Sequence, residues 1–110
     1  MSEETAVVFH RVGAAEEIAE GKGKPFRIGE TRVAVFRYGG ELFATDELCT
    51  HADASLAFGP VKDGCVLCPW HYAEFDLATG AAKSLPAVAD LKTYPVRVTP
   101  DGGLEIGIGG

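Results

Sequence analysis

Residues 31–45 read TRVAVFRYGGELFAT, and this stretch decides the fold class. Side chains over Arg32–Tyr38 alternate with a period of two, which is the period of a β-strand. Gly39-Gly40 follows as a turn, because glycine reaches positive φ angles without a Cβ clash. The next run, Glu41–Thr45, is again rich in strand-forming residues. The stretch therefore predicts a β-hairpin.

Outward from this hairpin, short β-prone runs alternate with glycine and proline. The chain contains 14 glycines and 6 prolines, so long helices are not expected. Pro100–Gly103 predicts a second hairpin that joins the last two strands, and Ala14–Glu20 predicts a short helix. The remaining predicted strands are Ala6–Val12, Lys24–Ile28, Cys65–Cys68, Ala73–Leu77, Leu91–Thr99 and Leu104–Ile108. Strands at this spacing predict one all-β domain, a small antiparallel sandwich or barrel, over residues 1–110.

Composition narrows the function classes. The chain is 46% hydrophobic, with 16 acidic against 10 basic residues and a formal charge of −6. This charge disfavours nucleic acids and anionic membrane surfaces as partners. The acidic start Met1–Glu4 and the lack of a long apolar run predict a cytoplasmic protein. Three cysteines in such a chain indicate metal or redox chemistry rather than a disulfide framework.

Two short motifs carry that chemistry. Cys49-Thr50-His51 and Cys68-Pro69-Trp70-His71 each place a thiolate near an imidazole, and 16 residues, 52–67, separate them. Zinc accepts such a Cys₂His₂ set, which could also recruit Cys65, so ligand type alone leaves zinc open. Cys65–Cys68 is apolar and β-prone, however, which directs the two sulfurs to opposite faces and forbids a disulfide between them. The motifs alone therefore leave an iron–sulfur cluster and a zinc ion as alternatives, and Cys65 is expected to be a small packed side chain.

The sequence resembles a Rieske-type [2Fe–2S] ferredoxin of bacterial aromatic-ring-hydroxylating dioxygenase systems. The resemblance covers most of the chain beyond about residue 30. Besides the two motifs, it rests on Ala52–Leu56, Phe75–Gly80, Pro86, Leu91, Tyr94-Pro95-Val96 and Asp101-Gly102.

The resemblance implies the ligand set and the place of the cluster. Cys49 and Cys68 would hold one iron, and His51 and His71 the other. Two loop tips would form a cluster-binding subdomain at about residues 46–80. Neutral imidazoles leave less negative charge on their iron, so the electron should settle there.

The resemblance also implies the partners. The protein would be a monomeric electron carrier, not an enzyme, between a ferredoxin reductase (an NAD(P)H-dependent flavoprotein) and a terminal oxygenase. A small Rieske-like subunit of a nitrite reductase-type enzyme is the alternative, and a zinc-binding interaction module is a third. The intact ligand set favours a working cluster.

Departures from high-potential relatives predict a low reduction potential. Ala54 and Trp70 stand where those proteins carry loop cysteines, so no loop disulfide is expected. Ala73 and Phe75 replace a serine and a tyrosine that donate hydrogen bonds to sulfur, which places the reduction potential at about −150 mV.

Trp70 is expected either to pack under its loop or to anchor a partner. Ser55 is expected to donate a hydrogen bond beside the cluster or to serve as a turn residue, and Leu85-Pro86 and Phe58-Gly59-Pro60 are expected to flank the cluster.

Overall fold

Antiparallel β-strands build the molecule. The structure is a computed structural model that describes residues 7–49, 54–69, 73–83 and 89–109. These residues form three sheets, with strand orders β1-β10-β9, β2-β3-β4-β8 and β5-β6-β7. The strands are β1 Val7–Ala14, β2 Gly23–Ile28, β3 Thr31–Tyr38, β4 Glu41–Asp46, β5 Val61–Lys62, β6 Cys65–Leu67, β7 Glu74–Asp76, β8 Thr93–Tyr94, β9 Val96–Val98 and β10 Gly103–Gly109. The predicted all-β antiparallel fold is confirmed, and the described residues contain no helix long and apolar enough to span a bilayer.

The predicted hairpins form where glycine permits them. Tyr38 pairs with Glu41 across Gly39-Gly40, whose φ angles are 63° and 81°. The turn between β9 and β10 closes with hydrogen bonds between Thr99 and Gly103. These turns bring neighbouring strands into antiparallel register.

Two sequence predictions need correction. The helix predicted at residues 14–20 is shorter than expected. It is a one-turn 3₁₀ helix, Ala15–Glu17, and Ile18 after it is extended. The Arg37 guanidinium accounts for this, since it donates hydrogen bonds to the Ala15 and Ile18 carbonyl oxygens. These carbonyl oxygens are therefore bound by the Arg37 side chain of β3 instead of by the amides of a longer helix. The predicted strand Leu91–Thr99 is divided into β8 and β9 at Pro95, which lacks an amide proton for a ladder bond.

Strand β3 separates two apolar cores. Val33 and Val35 on one face pack with residues of β8 and β10. Ala34 and Phe36 on the other face pack with the segments that carry Cys49 and Cys68. All four side chains of this strand centre are fully buried, so β3 is covered on both faces.

Candidate metal centre

The described residues on either side of the first cysteine motif are held together by backbone contacts. Leu48 and Ser55 form an antiparallel bridge. Inside that bridge, the Cys49 amide donates a 3.0 Å hydrogen bond to the Ala54 carbonyl oxygen. We call residues 49–54 the first cluster loop.

The second motif is arranged in the same way. Leu67 of β6 pairs with Glu74 of β7, and the Cys68 amide donates to the Ala73 carbonyl oxygen at 2.8 Å. We call residues 68–73 the second cluster loop. Both loops have six residues, begin with cysteine and end with alanine, so the structure presents two equivalent supports.

Both cysteines are buried in the same apolar core. Cys49 is 5% exposed and Cys68 is fully buried. The core that contains them also includes Ala34, Phe36, Ala54, Leu56, Ala57, Val66, Ala73, Phe75, Leu77 and Leu91. Soft thiolates from two loops in a water-excluding setting fit an iron–sulfur group. The other two predicted ligands, His51 and His71, lie outside the described residues, as do Trp70, Leu85 and Pro86.

Cys65 is placed differently from the other two cysteines. It lies within β6, opposite Lys62 of β5 and Asp76 of β7, and its side chain is partly exposed. Burial raises the pKa of the Cys65 thiol, and the neighbouring carboxylates of Asp76 and Glu74 raise it further. Its place in a strand, outside the core that contains Cys49 and Cys68, agrees with the structural role predicted for Cys65.

The structure shows where Ala73 and Phe75 lie, the two residues that stand in place of a serine and a tyrosine. Ala73 and Phe75 are fully buried in the core that holds both cysteines. Neither side chain can donate a hydrogen bond. Neither residue therefore contributes a donor to the core that contains both cysteines, as the low-potential prediction requires.

The segment after the first cluster loop supports the second. A one-turn 3₁₀ helix, Leu56–Phe58, leads into Gly59. A Cβ at Gly59 would overlap the Leu67 carbonyl oxygen, directly before Cys68. Phe58 is 74% exposed beside this contact. The contact places Gly59 next to the residue before Cys68, and the expectation that Phe58-Gly59-Pro60 flanks the cluster stays a prediction.

Sequence reasoning overlooked Glu47, which the structure buries at the root of the first cluster loop. It also left the role of Ser55 open between a turn residue and a hydrogen-bond donor. The structure shows the turn role, because the Ser55 hydroxyl accepts from the Ala57 amide at 3.3 Å, and the same hydroxyl donates to the Glu47 carboxylate at 2.6 Å. An acidic residue two positions before a predicted cysteine ligand is the signal that could have directed attention to Glu47.

Comparison with known proteins agrees with this geometry. A family model described as the Rieske [2Fe–2S] domain matches residues 8–95. The anthranilate 1,2-dioxygenase ferredoxin subunit of Burkholderia cepacia is 41% identical over 109 residues, which cover 99% of this chain and 100% of that protein.

Solved structures show the same relationship. Sphingomonas yanoikuyae B1 ferredoxin superposes with a TM-score of 0.84 at 36% identity, covering 90% of this chain and 97% of that one. A chain from a complex of reduced oxygenase and oxidized ferredoxin in carbazole 1,9a-dioxygenase has a TM-score of 0.81 at 31% identity, covering 89% and 91% of the two chains.

These relatives are ferredoxin components rather than catalytic subunits. The predictions of a Rieske-type [2Fe–2S] cluster and of an electron carrier are confirmed. The chain belongs to the Rieske [2Fe–2S] domain family.

Proposed function

We propose that Cys49, His51, Cys68 and His71 hold the cluster, with the cysteines on one iron and the histidines on the other. The observation that carries this proposal is the pair of buried cysteines at the start of two equal loops on one apolar core. Each histidine belongs to the same six-residue loop as one of the cysteines. When bound, the cluster accepts and releases one electron.

The surrounding residues control the setting of this chemistry. The thiolates of Cys49 and Cys68 supply the two anionic ligands, while neutral imidazoles supply the others. The apolar core keeps water away from the cysteine side. The two histidine ligands would belong to the iron at which partners exchange the electron.

We propose that the protein carries electrons from an NAD(P)H-dependent flavin reductase to the terminal oxygenase of an aromatic-ring-hydroxylating dioxygenase system. The matching relative from Burkholderia cepacia is named for anthranilate 1,2-dioxygenase, and the carbazole complex pairs a ferredoxin with an oxygenase. We propose that the chain works as a cytoplasmic monomer, since a carrier must leave one partner before meeting the next.

Metal analysis and electron transfer test this proposal together. The purified protein should contain two irons and two acid-labile sulfides per chain, with the paramagnetic resonance of a Rieske centre after reduction. With the reductase and oxygenase of the anthranilate 1,2-dioxygenase system as probes, adding it should restore substrate-dependent NADH consumption.

Each alternative has its own outcome in these experiments. Zinc in place of iron would identify an interaction module. A loaded cluster that accepts electrons from no dioxygenase reductase but supports nitrite reduction would favour the nitrite reductase-type subunit.

A further inference from the structure

Glu47 is a buried charged residue beside the first cluster loop. Only 6% of its surface is exposed, and no other charged residue is buried in the described part of the chain. A carboxylate loses favourable hydration when it is buried, so it needs partners to remain there. Its position follows the last residue of β4 and precedes Cys49 by two residues.

Four hydrogen bonds hold Glu47 in place. Its carboxylate accepts from Arg32 Nε at 3.0 Å and from Ser55 Oγ at 2.6 Å. Its amide donates to the Arg32 carbonyl oxygen at 3.1 Å, and its own carbonyl accepts from the Leu56 amide at 2.7 Å. Glu47 thereby connects the start of β3 to the residues that leave the first cluster loop.

The two charges of this network have unequal surroundings. The Glu47 side chain is 8% exposed, whereas that of Arg32 is 51% exposed. Water screens the guanidinium strongly, but it screens the carboxylate only weakly. The base of the first cluster loop therefore experiences a net negative field. Two residues of chain span at most about 7 Å between Cα atoms, so this field acts close to Cys49.

We propose that the Arg32–Glu47–Ser55 network fixes a negative charge that lowers the reduction potential of the cluster, with Arg32 partly opposing it. This inference rests on the proposed ligand role of Cys49. Reduction adds one negative charge to the centre, so a nearby carboxylate disfavours the reduced state. Ser55 keeps the carboxylate next to the loop by bonding one of its oxygens.

Three substitutions separate charge from structure. Glu47→Gln keeps the side-chain shape but removes the charge, so the midpoint potential should rise. Its amide oxygen can accept from Arg32 Nε, while its amide nitrogen donates to Ser55 Oγ and reverses the present bond. A threefold change in the reduction equilibrium, about 30 mV at 59 mV per tenfold, is the expected scale. Arg32→Gln removes the opposing charge and should lower the potential by a smaller amount. Ser55→Ala keeps both charges and should shift the potential less than Glu47→Gln does.

For each variant, voltammetry gives the midpoint potential, paramagnetic resonance shows whether the reduced cluster is intact, and chemical analysis gives the iron and sulfide content. Opposite shifts for Glu47→Gln and Arg32→Gln support the proposal. Shifts in the same direction would show that both variants merely loosen the loop, and would overturn it. If Glu47→Gln loses its cluster, the exposed Arg32→Gln variant still decides the sign, and a raised potential there contradicts the proposal. An unchanged potential in loaded variants refutes this inference alone, whereas a wild-type protein without the two irons refutes the proposed function.

Discussion

Cys49 and Cys68 make the same backbone contact, because each amide donates to the carbonyl oxygen of an alanine five residues further along the chain. These two hydrogen bonds close two loops of equal length over one apolar core. The structure thus provides equivalent supports for the two cysteines, while the ligand role itself stays a prediction.

The ligand assignment can be tested by comparing the three cysteines. Cys49→Ala should lose the cluster, whereas Cys65→Ser should retain it, because Cys65 lies in β6 away from the shared core. His51→Cys or His71→Cys should lower the potential or lose the cluster, since an anionic ligand replaces a neutral one. Iron and sulfide analysis measures each case. Equal losses in the Cys65 and Cys49 variants would contradict the assignment.

Restoring hydroxyl groups near the sulfurs should raise the potential. Ala73→Ser and Phe75→Tyr each introduce a donor at a fully buried position of that core. A donor stabilises the more negative reduced state. If the two redox states differ by about 1 kcal/mol per bond, the potential rises by about 40 mV per donor.

This prediction is controlled by the cluster content of each variant. Both variants should keep their iron and sulfide content, and voltammetry should be run on the wild type, the single variants and the double variant. An unchanged potential in variants whose new hydroxyls reach sulfur would leave solvent exposure as the better account of a low potential.

Association with partners should depend on salt. The chain carries a formal charge of −6, and Asp53 belongs to the first cluster loop. Partner binding should slow as the Debye length falls from about 30 Å at 0.01 M to about 8 Å at 0.15 M salt. Stopped-flow measurement of electron transfer to the oxygenase gives the rate.

A matched pair of variants locates the docking face. Asp53→Asn removes a charge from the loop, while Glu41→Gln removes one at the opposite end of β4. The first variant should slow association more than the second at low salt. A salt-independent rate would indicate an apolar contact instead, centred on Trp70 and the exposed Phe58.

Gly59 should be intolerant of a side chain. A Cβ there would overlap the Leu67 carbonyl oxygen, which cannot move without displacing β6. Gly59→Ala should therefore destabilise the protein and accelerate cluster loss. Gly21→Ala is the control, because φ is +76° there but no atom lies within 4 Å. Gly21→Ala should lower the free energy of unfolding by about 1–2 kcal/mol, the cost of a left-handed alanine. Equal thermal stability of the two variants would argue against close packing at Gly59.

Tyr94 should make the protein sensitive to alkaline pH. Burial raises the pKa of Tyr94, and its 2.5 Å hydrogen bond to Asp46 raises it further. Because the folded pKa exceeds the unfolded value of about 10, this stabilisation is complete below pH 10 and is lost as the pH rises further. Tyr94→Phe should be less stable at pH 7 by about 1.5–3 kcal/mol.

The pH dependence provides the check on Tyr94. Denaturant unfolding at pH 7 to 11 should show the gap between wild type and Tyr94→Phe narrowing above about pH 10. A constant gap over this range would mean that Tyr94 is not protected from ionisation in the folded state.

Local sequence signals predicted much of the fold, but not the contacts between distant segments. β3 occupies Thr31–Tyr38 as predicted, because alternation and a Gly-Gly turn agree there. β5 has two residues, too few to show a period, although Asp63-Gly64 is a good turn signal. The helix predicted at residues 14–20 is shortened to the 3₁₀ turn Ala15–Glu17, where Arg37, distant in sequence, binds the Ala15 and Ile18 carbonyl oxygens.

In the candidate site, too, local features were predictable from the sequence and contacts between distant residues were not. The two cysteine motifs are visible in sequence because each is local. Glu47 is not, since its partners Arg32 and Ser55 lie 15 and 8 residues away. No periodicity in the sequence indicates a half-exposed ion pair that forms only when β3 packs beside the residues that flank the first cluster loop.

The two-sided burial of β3 has a consequence for the order of assembly. Strands β2, β3 and β4 are sequence neighbours that pair through short turns, while β1 and β10 pair from opposite ends of the chain. Local pairs form fastest, so the Ala34 and Phe36 face should exist before iron arrives. We expect the Val33–Phe36 amides to stay protected from hydrogen exchange in the iron-free protein, while the Cys49 and Cys68 amides exchange quickly. Maturation would then consist of closing two loops onto a finished sheet.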